Sequence, residues 1–232
     1  MKKWYYFFLG VIILVLSIII VPSILDRVKN SKIVENNRST KAKPLSYISI
    51  NGEAKKVPSF LMTNQDSLLI SNEDFYNKVY IVEFFFTRCP SICPIMNKNM
   101  KRLETAFGER ADFGIASFTI DPENDTPNIL KKYANLYEVF SKNWHFLTST
   151  KEAVFDLSNN GFNIFSSINP EVAGGFEHQG YFALIDKQGF IRSRLDPYGN
   201  PIVYYLGIDQ EDSNIQEGTE MLIEDIPLLL NE

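Results

Sequence analysis

Cys89 and Cys93 are the only cysteines in the chain, and they stand at positions i and i+4 of Cys89-Pro90-Ser91-Ile92-Cys93. Two thiols so placed can close a disulfide, exchange electrons with a client thiol, or hold a soft metal ion. A bridge across so short a loop restricts the unfolded chain little, so a purely structural disulfide would stabilise weakly. A metal would need a third ligand, and the chain offers two histidines, His145 and His178. His145 lies in the apolar stretch Trp144-His145-Phe146-Leu147 and reads as a packed or hydrogen-bonded residue. His178 lies in the Gly-rich segment Gly174 to Gly180, ahead of a strand, where loops on rigid elements often supply binding residues. Two thiolates and one imidazole suit Cu(I), or Cu(II) with a weak extra ligand, whereas structural zinc would want a fourth protein ligand. On the residues alone, staple, redox dithiol and metal site all remain open.

The surrounding pattern says where the pair sits. Val79 to Thr87 is almost continuously apolar and rich in β-branched and aromatic residues, as a strand buried on both faces must be. The cysteines follow at its C-terminal end, and Pro94 opens a helical pattern through Ile95, Met96, Met100 and Leu103. A thiol at a helix start meets free N–H groups and the positive end of the macrodipole, which lower its pKa. Arg88 adjoins Cys89 and is expected to add to this effect.

Further elements are expected along the chain. Tyr47–Ile50 with Asn51-Gly52 reads as a strand entering a hairpin, and Ser71 as the cap of a short helix over Glu73–Asn77. Phe113–Ile120 and Trp144–Leu147 read as strands, with Thr126 and Pro127 as N-cap and N1 of a helix over Asn128–Tyr137. Lys151–Ser158 reads as a helix stopped near Gly161, and Gly180–Arg194 as a hairpin. Glu217–Leu230 is a terminal amphipathic helix whose last turn Pro227 should disturb. Strands alternating with helices predict an α/β sandwich, with the cysteines at a strand's carboxyl end, where such sheets carry their ligands.

Trp4 to Leu25 has no charged residue and is long enough to span a hydrocarbon core of roughly 30 Å. It lacks a small-residue cleavage site, so residues 1–25 are expected to be an uncleaved transmembrane signal anchor with Trp4, Tyr5 and Tyr6 at an interface. Lys2 and Lys3 are balanced by Arg27, Lys29 and Lys32, so charge alone does not orient the span. Residues 26–44 read as a polar tether and residues 45–232 as the folded domain. At 232 residues and a net charge of −5, with no basic stripe, the chain is not expected to bind nucleic acid.

Three ordered motifs then converge. Phe86-Thr87-Arg88-Cys89-Pro90-Ser91-Ile92-Cys93-Pro94-Ile95-Met96 resembles the F-T-x-C-P-x-x-C-P-x-M signature of the SCO/SenC family of copper-delivery proteins. Asp121-Pro122-Glu123-Asn124-Asp125-Thr126-Pro127 resembles that family's D-P-x-x-D-T-P segment, and His178 to Asp186 its histidine followed by a strand. The match covers roughly Pro58 to Arg194; the loop Gly161–Phe176 lies outside the three motifs. The resemblance implies a thioredoxin-like fold and one copper ion held by Cys89, Cys93 and His178. It also implies Asp121 near the site as a supporting group, with a turn or capping role as the alternative.

The implied role is delivery of copper to, or reduction of cysteines in, the CuA site of cytochrome c oxidase subunit II. The soluble domain is then expected in the periplasm or an equivalent extracytoplasmic compartment. That role is a metallochaperone's rather than an enzyme's. A thiol–disulfide oxidoreductase acting through Cys89 and Cys93 without obligatory copper is the alternative. A peroxidase is weaker, because Thr87-Arg88 only superficially imitate the arrangement that peroxide requires.

Overall fold

The structure is a computed structural model, and it describes Trp4, Phe8, Val21 and residues 44–50, 52–208 and 218–232. The chain divides into two compact units, Met1–Ala42 and Lys43–Glu232. In the first, Trp4, Phe8 and Val21 are helical, and the Trp4 and Phe8 rings lie 5.8 Å apart, as an i, i+4 pair on a helix can. The rest of the expected anchor, and the tether up to residue 43, lie outside the described residues. Among the described residues no helix is long and apolar enough to cross a membrane.

The second unit contains strands β1 (Ser46–Tyr47), β2 (Ser49–Ile50), β3 (Glu53–Ala54), β4 (Leu61–Asn64), β5 (Leu69–Ser71) and β6 (Val79–Phe85). There follow β7 (Phe113–Thr119), β8 (Trp144–Thr148), β9 (Ser166–Ile168), β10 (Phe176–His178), β11 (Tyr181–Ile185), β12 (Ile191–Ser193) and β13 (Tyr205–Leu206). The α-helices are α1 (Cys93–Phe107), α2 (Pro127–Leu136), α3 (Lys151–Asp156) and α4 (Gly218–Leu230). The main sheet runs β1-β12-β11-β6-β7-β8-β4-β5, with β13 beside β11. Its centre, β6-β7-β8, is parallel, and β11 and β4 flank it antiparallel. This is the expected α/β architecture.

Strand β6 is buried along its whole length, which explains its unbroken apolar run. Phe84 stacks on Phe118 and meets Phe162 on one face, while Phe85 stacks on Tyr133 of α2 and meets Phe146 on the other. Helix α1 joins that second face, where Asn97 donates to the Tyr133 hydroxyl at 3.0 Å. The core therefore holds the strand that carries the cysteines from both sides.

Local expectations met mixed fates. Ser71 caps a 3₁₀ turn over Asn72–Phe75 through a reciprocal bond with Asp74. Thr126 stands at the N-cap of α2 without a side-chain cap bond, so Pro127, which needs no partner there, opens that helix alone. The Tyr47–Ile50 stretch splits: β1 joins β12, and β2 turns through Gly52 into β3. Helix α3 ends early and continues as a π-helical turn, Leu157–Phe162. Helix α4 runs through Pro227 to Leu230.

Arg192 closes the far end of the sheet. Its guanidinium is almost fully buried and binds Asp186 at 2.9 Å, both Glu232 oxygens at 2.8 and 3.0 Å, and the Leu45 carbonyl at 2.8 Å. Replacing it by methionine leaves the buried Asp186 carboxylate without a cation, which should cost about 3–5 kcal/mol. Glu232→Gln, at an exposed partner, should cost less than about 1 kcal/mol. Urea unfolding of the two variants checks the difference.

Candidate metal centre

The turn from β6 to α1 places both sulfurs. The Cys89 N–H returns to the Phe86 carbonyl at 3.2 Å, closing the chain tightly after the strand. Cys93 is the first residue of α1, and its N–H points at Cys89 Sγ at 3.4 Å. The helix start thus acts on Cys89, the residue before it, rather than on Cys93. Cys89 keeps 8% of its surface exposed and Cys93 none.

That asymmetry separates the two thiols. The Cys93 side chain, the His178 side chain and the backbone N–H groups of Cys93 and Ser91 all favour a negative Cys89 sulfur, and they hold its thiol well below the ordinary range against the opposing effect of burial. Burial and the neighbouring Cys89 push the Cys93 thiol up. Arg88 is not the expected contributor. Its guanidinium is turned to Asp121, donating through Nη2 at 2.7 Å and Nε at 3.2 Å.

His178 arrives on a separate two-stranded ribbon, β9–β10, in which it pairs with Ser166. The π-helical turn anchors that ribbon: Asn159 bonds both backbone groups of Ser166, at 2.9 and 3.0 Å, and the Ser158 and Ser166 hydroxyls meet. At the ribbon's far end Gly174, with φ of +91°, rests on Phe86 and Pro90; a Cβ there would come within 2.9 Å of the Phe86 ring and 3.1 Å of Pro90. Neither the anchor nor this seat is visible as a sequence motif. The glycine pair was the available signal, since close approach and positive φ both call for glycine.

The imidazole is oriented from behind. His178 Nδ1 lies 3.3 Å from the Gln179 carbonyl, which can only accept, so Nδ1 carries a proton and Nε2 faces the sulfurs. Nε2 is 3.2 Å from Cys93 Sγ, and the Phe86 ring meets the imidazole edge-on at 5.8 Å. The ligand atoms of Cys89, Cys93 and His178 all lie within 4.8 Å of one another. Donors about 2.0–2.3 Å from a shared ion would sit within roughly 4 Å of each other, so small adjustments fit this triangle around one ion. A cavity of about 260 Å³ opens over it, between Cys89, Ser91 and Ile92 on one side and Val172, Phe176 and His178 on the other. Among the described residues no fourth cysteine, histidine or carboxylate joins the group.

Asp121 and His145 lie elsewhere. Asp121 takes Arg88 and the Asn124 side chain, and its own N–H donates to Thr119 Oγ1 at 3.0 Å, so its contacts run to the turn and not to the sulfurs or imidazole. His145 is on β8, bonded to Asn64 at 3.2 Å and packed on Phe75. The carboxylate that sequence reasoning missed is Asp125, fully buried, which accepts from the Thr87 N–H and from the hydroxyls of Thr87 and Thr119.

A lowered thiol keeps its charge until the pH falls through its own value. In the metal-free protein, iodoacetamide at about pH 5 should therefore modify Cys89 and spare Cys93, where ordinary thiols are inert. Peptide mass mapping reads the site; equal labelling of both residues would contradict the assignment.

The SCO1/SenC family model matches residues 49–210. The SCO1 protein homolog of Bacillus subtilis (strain 168) is 35% identical over 149 residues, which are 63% of this chain and 72% of that protein. The solved structure of BsSco, described as carrying a disulfide switch and as a member of the Sco family of cytochrome c oxidase assembly proteins, superposes with a TM-score of 0.63 at 27% identity, covering 81% of this chain and 98% of that one. A SCO1/SenC family lipoprotein from Bacillus anthracis gives 0.62 at 29% identity, covering 75% and 95%. On the sequence match and the shared fold together, the chain belongs to the SCO1/SenC family.

Proposed function

We propose that the protein binds one copper ion through Cys89, Cys93 and His178 and serves the assembly of cytochrome c oxidase. In this reading it delivers copper to, or reduces the cysteines of, the CuA site of subunit II. The observation that carries it is the convergence of two thiols and one imidazole within 4.8 Å, with no further donor among the described residues. That soft, low-coordinate set suits copper better than zinc. Asp121 steadies Arg88 beside the pair. The family's members and the disulfide switch named for BsSco support the assignment. The apolar segment 4–25 is the membrane anchor, and the domain works outside the cytosol.

A second reading has its own observation. One thiol is lowered and partly exposed, the other raised and buried, which is the division between an attacking and a resolving cysteine. Copper and disulfide exchange use the same sulfurs, and copper is held only when they are reduced.

Titration of the full chain with copper should saturate at one ion and give a thiolate-to-Cu(II) absorption band. His178→Ala, which removes a ligand outright, should weaken Cu(II) binding by at least about 100-fold, the most that losing a partner behind a ligand typically costs, with little change in thermal stability. Gly174→Ala, which lifts the ribbon from Phe86, should weaken it by roughly tenfold. Unchanged affinity in His178→Ala would sink the three-ligand site. A strongly reducing dithiol whose potential ignores copper would favour the oxidoreductase.

A further inference from the structure

A second cavity, of about 400 Å³, shares no lining residue with the metal centre. Its size is that of a small-molecule site, roughly 300–1,000 Å³. Lys55, just after β3, is the one charged residue in its wall, and no acid lines it. Lys55 is half-buried, and among the described residues its ammonium forms no ion pair and no hydrogen bond. Burial lowers this ammonium from the ordinary lysine value, and no neighbouring group raises it. Lys56, the next residue, is exposed and lies over the Phe190 ring at 4.6 Å. An ammonium set against apolar walls loses hydration, and an anion beside it restores what was lost.

The walls are apolar with two further donors. Tyr181 and Tyr204 stand side by side, their rings 6.4 Å apart, and the Tyr204 hydroxyl donates to the Phe162 carbonyl. Ile48 and Ile202 continue the apolar surface, and Ile50 and Val203 are exposed at its rim. Gln179 accepts the Phe165 N–H through Oε1 at 2.9 Å, so its Nε2 remains to donate, and Asn163 offers a second carboxamide.

The backbone at Val203 is strained. The Tyr204 N–H donates to the Ile202 carbonyl at 3.0 Å, so Val203 is the centre of a three-residue turn, and its φ is +70°. That turn is rare for any residue and least suited to a β-branched one. The Ile202 N–H on the Arg194 carbonyl at 3.1 Å and Tyr204 on Phe162 hold it in place. Strain of this kind concentrates at ligand clamps, and here the strained valine lines the cavity.

We propose that this cavity binds a small organic monocarboxylate with an apolar body, its carboxylate on the Lys55 ammonium and its body against Tyr181, Tyr204 and the isoleucines. One cation and two carboxamides match a single negative charge, whereas a phosphate dianion calls for a guanidinium or several cations. The charge selects the sign of the ligand: an amine would meet Lys55 as a like charge, and an alcohol would leave the ammonium unpaired. No part of the site depends on the cysteines or on metal.

The test is brief acetylation of the full chain with acetic anhydride, with and without 4-phenylbutyrate as probe. Tandem mass spectrometry of the peptide carrying Lys55 and Lys56 reads both amines, so Lys56 is the internal reference. At about 10 mM probe, Lys55 acetylation should fall about fivefold, since so small a ligand binds with an affinity of about millimolar. Lys56 should be unaffected, and 4-phenylbutanol and 4-phenylbutylamine should protect neither. By saturation-transfer NMR, Lys55→Met should weaken probe binding about tenfold, as the loss of a charged partner does. Ile50→Glu, at an exposed position, sets a like charge at the rim and should also weaken it, which keeps a test in hand if Lys55→Met does not fold. Equal protection of the two lysines, protection by the alcohol or the amine, or unchanged probe affinity in either variant overturns the inference.

Discussion

Asp125 has no exposed surface and, among the described residues, forms no ion pair, yet it accepts three hydrogen bonds, from the Thr87 N–H and from the hydroxyls of Thr87 and Thr119. Thr87 is the first residue of the turn that leads to Cys89, and Thr119 ends the neighbouring parallel strand. The carboxylate therefore pins the start of the cysteine loop to the strand beside it. Without that tie the loop would be held by the Arg88–Asp121 ion pair, the Cys89 return bond to Phe86, the Cys93 N–H on Cys89 Sγ and the stiffness of Pro90 and Pro94. Burial raises this carboxyl while the three donors lower it. A buried carboxylate supplied with donors but no cation is costly unless its bonds are well made. Its geometry is consequently narrow, and the loop inherits that narrowness.

The parts of the site legible in the sequence are those carried by covalent neighbours. The cysteines follow an apolar run that can only be a central strand, and Pro94 marks the helix beyond, so their place at the carboxyl end of β6 needs no tertiary information. His178 could be suspected from its Gly-rich setting, but its approach to the sulfurs depends on a ribbon that pairs with nothing in the main sheet. That ribbon is held by Asn159 and Ser158 from a π-helical turn, an i→i+5 arrangement with no compositional signature. Asp121 and Asp125 are both acids of one short segment, and the sequence offered no way to tell which faced Arg88 and which faced Thr87. Thr126 illustrates the converse: a favourable cap residue in the right place whose side chain makes no cap bond, because Pro127 leaves less to satisfy.

The centre is assembled from two halves of different character. The sulfurs belong to the core, Cys93 wholly buried and Cys89 tied to the helix start. The imidazole is applied from outside through the ribbon, whose contact with the cysteine loop runs over Phe86 and Pro90 by way of Gly174. The aromatic ring of Phe86 therefore has two duties, since it also meets the imidazole edge-on. Pressure on Phe86 reaches the imidazole and the loop together. A metal that joins both halves would gain from this shared seat, because the ribbon needs no other partner to be brought to register.

Closing the disulfide needs the sulfurs about 2.05 Å apart, whereas an ion between them needs roughly twice that separation. The two states therefore differ by a local rotation of Cys89 and Cys93, with β6, α1 and the Asp125 tie left in place. Cys89 is the sulfur free to make that movement, having residual exposure and lying in the loop, while Cys93 is fixed as the first residue of a helix packed on Tyr133 through Asn97. The chemical inequality of the two thiols follows from the same division. The sulfur that can move is the one stabilised as thiolate, by the Cys93 and His178 side chains and by the helix start, and the sulfur that cannot is the one deprived of solvent. In the proposed reading metal binding and bridging would then be alternatives decided at Cys89, with Cys93 as the common partner in both.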